Sequence, residues 1–133
     1  MKEHRLEMLV LEHHIDTFGH INNAAYAEIF EEARWDLITN NNYGVSEVQS
    51  YKKGPVVLEM TLKFLKEVKL REKITIVTKM NSVQGKIMHM SQQMLNSKGE
   101  VACDALFIFG LMDLNLRKLI VPTPEWLHAI GWE

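Results

Sequence analysis

The sequence holds a single cysteine, Cys103, among 133 residues. One thiol can build neither a disulfide framework nor a cysteine metal cluster. Charge of one sign is also lacking: 15 Lys and Arg against 17 Asp and Glu leave a net charge of −2. Nothing in that balance would draw the chain to nucleic acid. Long apolar runs are missing as well. The longest, around Ala105–Met112, is strand-sized and far short of a membrane span. The opening residues Met1-Lys2-Glu3-His4-Arg5 are polar and lead into no signal-peptide core. No repeat, low-complexity segment or linker interrupts the chain. The expectation is one soluble domain over 1–133, in the cytoplasm, with no nucleic-acid or membrane partner.

What is present is a globular composition, 47% apolar and 24% charged, in a chain long enough to bury a core. Arg5 to Glu12 reads as a first strand, with Leu6, Met8 and Val10 on one side. The period then changes. Tyr26, Ile29, Phe30, Ala33 and Leu37 fall at i, i+3, i+4, i+7 and i+11, one apolar stripe on a helix of about 17 residues. Asn22 or Asn23 can cap it, and Asn40-Asn41-Asn42 with Gly44 end it. Trp35, Ala24 and Ala25 widen its apolar surface, so the helix is expected to be largely enclosed.

A short helix is predicted near Ser46–Tyr51, and strands follow. Val56, Leu58, Met60, Leu62 and Phe64 alternate with Val57, Glu59, Thr61 and Lys63. Lys73–Asn81 and Ile87–Leu95 continue the pattern through turns at Gln84-Gly85-Lys86 and Asn96-Ser97-Lys98-Gly99. Val101–Met112 is apolar on both faces except Asp104, which marks a central strand and a carboxylate that should be hydrogen-bonded or at an edge. Asp113 to Lys118 leads away. Thr123-Pro124 opens a short helix through Ile130. One long helix and about five antiparallel strands must cover each other, which predicts an α+β fold with the sheet wrapped around the helix. Open sheet edges predict a homo-oligomer.

Polar groups capable of chemistry are concentrated in one place, Asp16-Thr17-Phe18-Gly19-His20-Ile21-Asn22-Asn23, where strand gives way to helix. The block Asp16-x-x-Gly19-His20-Ile21-Asn22-Asn23-x-x-Tyr26, followed by Phe30, Glu32, Ala33 and Arg34, resembles the start of hotdog-fold acyl-CoA thioesterases of the hydroxybenzoyl-CoA and acyl-ACP types. The paired Val56-Val57, the apolar strand ending in Asp113 and the prolines Pro122 and Pro124 extend the resemblance over nearly the whole chain. It implies a hotdog fold and hydrolysis of an acyl-CoA or acyl-ACP by a homodimer or homotetramer in fatty acid metabolism. No cofactor is implied, since coenzyme A is part of the substrate.

Carried over by position, Asp16 matches the catalytic carboxylate, and His20, Asn22 and Asn23 match the His-x-Asn-Asn element of the acyl-ACP enzymes. Those enzymes carry Asn two positions after the Asp, where this chain has Phe18. A carboxylate there can activate water or attack the thioester itself. Backbone N–H groups around Asn23, Ala24 and Ala25 can meet the oxyanion, and Gly19 permits the tight turn.

Plainer roles stand beside these. Asp16 can be a loop acid, Asn22 and Asn23 helix caps, and Tyr26 a core residue rather than part of the pocket wall. His20 can orient Asp16 or only brace the loop. His13 and His14, adjacent on an extended segment, would point opposite ways, so no metal site is predicted. Glu59 and His89 suit solvent or a dimer contact. Methionines 60, 80, 88, 90, 94 and 112 suit either core or a flexible acyl tunnel. Lys63, Lys66, Lys69, Arg71, Lys73, Lys79 and Lys86 suit either CoA phosphates or a solvated face. Two rival functions remain, a hotdog enoyl-CoA hydratase and a non-catalytic acyl-CoA-binding module.

Overall fold

The computed structural model describes residues 3–132. Strand β1 (His4–Leu9) passes through a 3-10 turn (Glu12–His14) to the long helix α1 (Asn23–Asn40) and the short helix α2 (Val45–Tyr51). Four strands follow: β2 (Lys53–Phe64), β3 (Lys73–Gln84), β4 (Ile87–Leu95) and β5 (Val101–Asp113). A three-residue strand β6 (Lys118–Ile120) and helix α3 (Pro124–Ala129) complete the order. The sheet runs β1-β3-β4-β5-β2, antiparallel at every pairing, with β6 on β5. It wraps α1, which is the hotdog architecture that the motif implied.

The helix stripe packs as its period dictates. Tyr26, Ile29, Phe30, Ala33 and Leu37 are all buried against the sheet. From the sheet side, β4 alternates strictly, turning Met88, Met90, Gln92 and Met94 inward. Each large apolar side chain buried this way contributes roughly 1.5–3 kcal/mol. Met80, Met88, Met90 and Met94 are therefore core, whereas Met60 lies exposed on β2 and Met112 is half-buried. Helix α3 seals the lower core with Trp126, whose indole N–H meets Met88 Sδ at 3.4 Å. Ala24 stays exposed and Trp35 half-exposed, so α1 is less enclosed than its composition suggested.

The polar group at the centre is Gln92. Its amide N–H donates to the Phe30 carbonyl and to Thr78 Oγ1, both at 3.0 Å. Its Oε1 accepts from Arg34 at 3.0 Å. A buried amide is tolerable only when satisfied in this way, and the arrangement pins α1 to β3 and β4.

Four expectations need correction. The first strand ends at Leu9, and His13-His14 lie on the 3-10 turn, their rings 4.0 Å apart, rather than on extended chain. The strict alternation of β2 breaks at a bulge, where pairing shifts from Val57↔Phe109 to Glu59↔Ile108. Asp104 is neither at an edge nor hydrogen-bonded through its side chain among the described residues: β5 lies between β4 and β2, and Asp104 stands opposite Gln93 and Lys63 on the outer, partly wet side of the sheet. The sixth strand continues along β5 where β4 stops, from Leu111↔Ile120 to Asp113↔Lys118. Gly110 makes room for it, since a Cβ there would sit 2.7 Å from Leu119 Cδ2.

The open edges are β1 and β2. On β2 and just beyond it, Val57, Leu58, Met60, Phe64 and Leu65 are exposed, Met60 at 54%. Among the described residues no helix is long and apolar enough to cross a membrane.

Candidate active site

The loop between the 3-10 turn and α1 closes on itself. Ile15 and Ile21 bridge antiparallel, and the Asp16 N–H donates to the His20 carbonyl at 3.1 Å. Gly19, at φ +86°, takes the left-handed turn that glycine adopts at no steric cost, and its N–H returns to the Asp16 carbonyl at 3.2 Å. His20 bridges Lys69 and the Ile21 N–H donates to Val68 at 3.1 Å, which ties the loop to the β2–β3 connection.

Within this frame Asp16 is half-buried, and its Oδ1 accepts the Phe18 N–H at 2.8 Å. That leaves Oδ2 without a protein donor among the described residues. Phe18 itself is 82% exposed and stacks on the His20 ring, centroids 6.0 Å apart. The His20 imidazole makes no hydrogen bond to Asp16; its Nε2 faces Glu67 Oε2 at 3.8 Å. His20 meets the loop through its backbone, its carbonyl accepting the Asp16 N–H.

Asn22 is the N-cap. Its Oδ1 accepts the Ala24 N–H at 2.8 Å, and its carbonyl takes the Ala25 N–H at 3.0 Å. Of the three backbone donors predicted for an oxyanion, Ala24 and Ala25 are thus engaged. The Asn23 N–H alone has no protein acceptor among the described residues, at the positive end of the helix dipole.

A half-open hollow of about 200 Å³ lies beside this helix start. His20, Asn23 and Tyr26 line one side, and Phe64 to Glu67 the other; Asp16 is not part of its wall. Tyr26 is buried and meets Phe64 edge-on at 4.9 Å. Burial, with lesser help from Cys103 and Glu67, pushes its phenol up to about 12, so it stays a neutral hydroxyl. Sequence reasoning missed the Phe64–Glu67 wall because a charged run, Lys66 to Glu72, reads as a solvated turn.

His14, two residues before Asp16, is buried with Nδ1 accepting the Leu11 N–H at 2.9 Å. Burial chiefly, then His13, lowers its pKa against the pull of Glu32 and Glu28, so the ring stays neutral. Among the basic residues, Lys66, Arg71 and Lys73 are already paired with Glu100, Glu12 and Glu7 at 2.7 to 2.8 Å. Lys63, Lys69, Lys79 and Lys86 form no ion pair among the described residues.

Comparison with known proteins gives this geometry a context. Residues 10–130 match the thioesterase-like superfamily. The chain is 31% identical over 114 residues to the long-chain acyl-CoA thioesterase FadM of Escherichia coli, covering 85% of this chain and 86% of that one. The crystal structure of YbaW, a probable thioesterase from Escherichia coli, superposes with a TM-score of 0.82 at 28% identity, covering 94% of each chain. A DHNA-CoA thioesterase from Staphylococcus aureus shares the fold with a TM-score of 0.87 at 21% identity, over 97% of this chain and 89% of the other. The chain belongs to the thioesterase-like superfamily and is a hydrolase of thioesters.

Proposed function

We propose that this protein hydrolyses acyl-CoA to the free acid and coenzyme A, with Asp16 as the working carboxylate. The observation that carries the reading is the state of that side chain. One oxygen is fixed by the Phe18 N–H while the other is unengaged, on the loop that leads into a helix whose Asn23 N–H has no protein acceptor among the described residues.

Two uses of Oδ2 fit. As a base it takes a proton from water while the water oxygen bonds to the thioester carbon. As a nucleophile it forms a mixed anhydride that water then opens. In both, the carbonyl electrons move onto oxygen, return as the C–S bond breaks, and leave sulfur to take up a proton. The Asn23 N–H meets the transient oxyanion; one such donor typically supplies about 3 kcal/mol, or two to three powers of ten in rate. Tyr26 walls the acyl side, and Gly19, His20 and Asn22 hold the loop.

The active form is a homodimer built on β2, alone or doubled into a tetramer. Support comes from the unpaired backbone of that edge and from its exposed Val57, Leu58 and Met60. Phe64 and Leu65, which wall the hollow, lie at the end of the same strand, so pairing there would also complete the site. A cytoplasmic location suits the lone buried thiol of Cys103.

The test is free-thiol release from a panel of acyl-CoAs, aliphatic and aromatic, short and long, with acyl-ACP alongside. Turnover of at least one acyl-CoA is expected. Thiol release from none, or loss of the double bond of crotonyl-CoA without thiol release, would overturn the reading.

A further inference from the structure

A second, more enclosed cavity lies farther along α1. It measures about 320 Å³ and is walled by α1, β2, the inner faces of β4 and β5, and α3. Its lining is mostly apolar and includes Trp35, Trp126 and Phe107. Two charged residues enter it, Glu31 and Arg34. The loop chemistry uses neither.

Arg34 is the unusual one. Its side chain is half-buried, the guanidinium lies 4.3 Å over the Phe107 ring, and it donates one hydrogen bond, to Gln92 Oε1 at 3.0 Å. Among the described residues no carboxylate comes within 4.0 Å of it, Glu31 included. Guanidinium has five N–H donors and keeps its charge even when buried. Partial burial of a cation is costly, and here the Phe107 ring and the Glu31 charge offset it in part, with no carboxylate in contact. Gln92 holds the group from behind, with its other polar atoms spent on Phe30 and Thr78. Arg34 lines the cavity with donors that no other protein group takes up among the described residues.

Most binding pockets are apolar with a few placed polar groups that select the ligand. Here the apolar walls suit a hydrocarbon chain, and the one aimed donor group suits an oxygen acceptor. Arg34 stands eleven residues after Asn23 on the same helix, roughly 16 Å of axial rise. The cavity is thus remote from a thioester held at the helix start, and only an acyl group extended along α1 would span that distance. Resting on the acyl-CoA hydrolase reading of the loop, we propose that this cavity receives the distal part of the acyl chain and that Arg34 selects chains bearing an oxygen acceptor there. Hydroxyl, keto and carboxyl oxygens share that chemistry. A plain hydrocarbon end would leave the donors unmet.

The experiment compares dodecanoyl-CoA with its ω-hydroxy and ω-carboxy counterparts, in wild type, Arg34→Met and Arg34→Lys, by thiol release. The wild type is expected to favour at least one oxygenated chain about tenfold or more in kcat/KM, the worth of a hydrogen bond to a charged group. Arg34→Met brings the ratio towards one, and Arg34→Lys restores part of it. Preference for the carboxylate alone assigns ion pairing, and preference for both assigns hydrogen bonding. Equal or better use of dodecanoyl-CoA by the wild type overturns the proposal while leaving the hydrolase reading intact. Thiol release from none of the three, and from none of the wider acyl-CoA panel, overturns the hydrolase reading instead.

The cavity then answers by a separate signal, because Trp35 and Trp126 line it. Saturable change of tryptophan emission is expected with decanoate and not with decylammonium, and Arg34→Met abolishes it. Equal response to both amphiphiles contradicts the proposal. Should Arg34→Met fail to fold, the wild-type ratios, the amphiphile pair and Arg34→Lys still decide.

Discussion

The Asp16 carboxylate accepts the backbone N–H of Phe18 at 2.8 Å through Oδ1. This contact gives Asp16 a structural role beside the chemical one proposed for it. One oxygen holds the turn that places it, and the other has no protein donor among the described residues. It also explains how Phe18 can stand where acyl-ACP thioesterases carry asparagine: the position contributes its backbone, while its ring lies outward on His20.

Loss of the helix cap should cost stability. Asn22→Ala removes the acceptor of the Ala24 N–H, which sits at 2.8 Å. The expected loss is about 1 kcal/mol, with Asn22→Asp or Asn22→Ser recovering most of it. Urea denaturation midpoints measure the effect, and an unchanged midpoint for Asn22→Ala would show that water caps the helix equally well.

Acid should weaken the fold through His14. Burial lowers its folded pKa below the ordinary histidine value of about 6.5. Below that value the unfolded chain takes a proton that the folded ring resists, so stability falls as pH drops from 6.5 towards the lowered folded pKa. His14→Asn, whose Oδ1 can accept from Leu11 in place of Nδ1, should lose less stability between neutral pH and about pH 5. Identical acid sensitivity of the two proteins would contradict the assignment.

Cys103 should be chemically silent in the native state. It is buried, and burial chiefly, then Asp104, pushes its thiol up to about 12. Reaction with a disulfide reagent at mildly alkaline pH is expected only after unfolding. Stoichiometric reaction in native buffer would mean that the strand opens readily.

The exposed edge should carry the oligomer. Wild type is expected to sediment as a dimer or tetramer, and Met60→Lys or Leu58→Lys as a smaller species, with Glu7→Gln on the opposite edge as a neutral control. A monomeric wild type at micromolar concentration would remove β2 as an interface.

Much of this architecture was readable from local pattern. The α1 stripe from Tyr26 to Leu37, the alternation of β4 and the Asn22 cap are all fixed by residues a few positions apart. What escaped depends on pairing between distant segments. The bulge after Val57 is set by its register against β5, and β6 is too short to show a period. Which N–H at the helix start stays free depended on where the Asn22 side chain turned. Arg34 reads in sequence as one more solvated charge among Glu31, Glu32 and Asp36. Its place in the motif gave it no role, and its other local signal is spacing: Phe30, Arg34 and Ile38 stand four apart, on one side of the helix.

The most direct measurement compares Asp16→Asn with wild type in acyl-CoA hydrolysis, using the best substrate of the panel. Asparagine keeps an Oδ1 acceptor for the Phe18 N–H, so the loop and the melting temperature should hold. It lacks the base and nucleophile, so kcat should fall by roughly a hundredfold to ten-thousandfold. A folded Asp16→Asn protein that releases thiol at the wild-type rate would contradict the central claim.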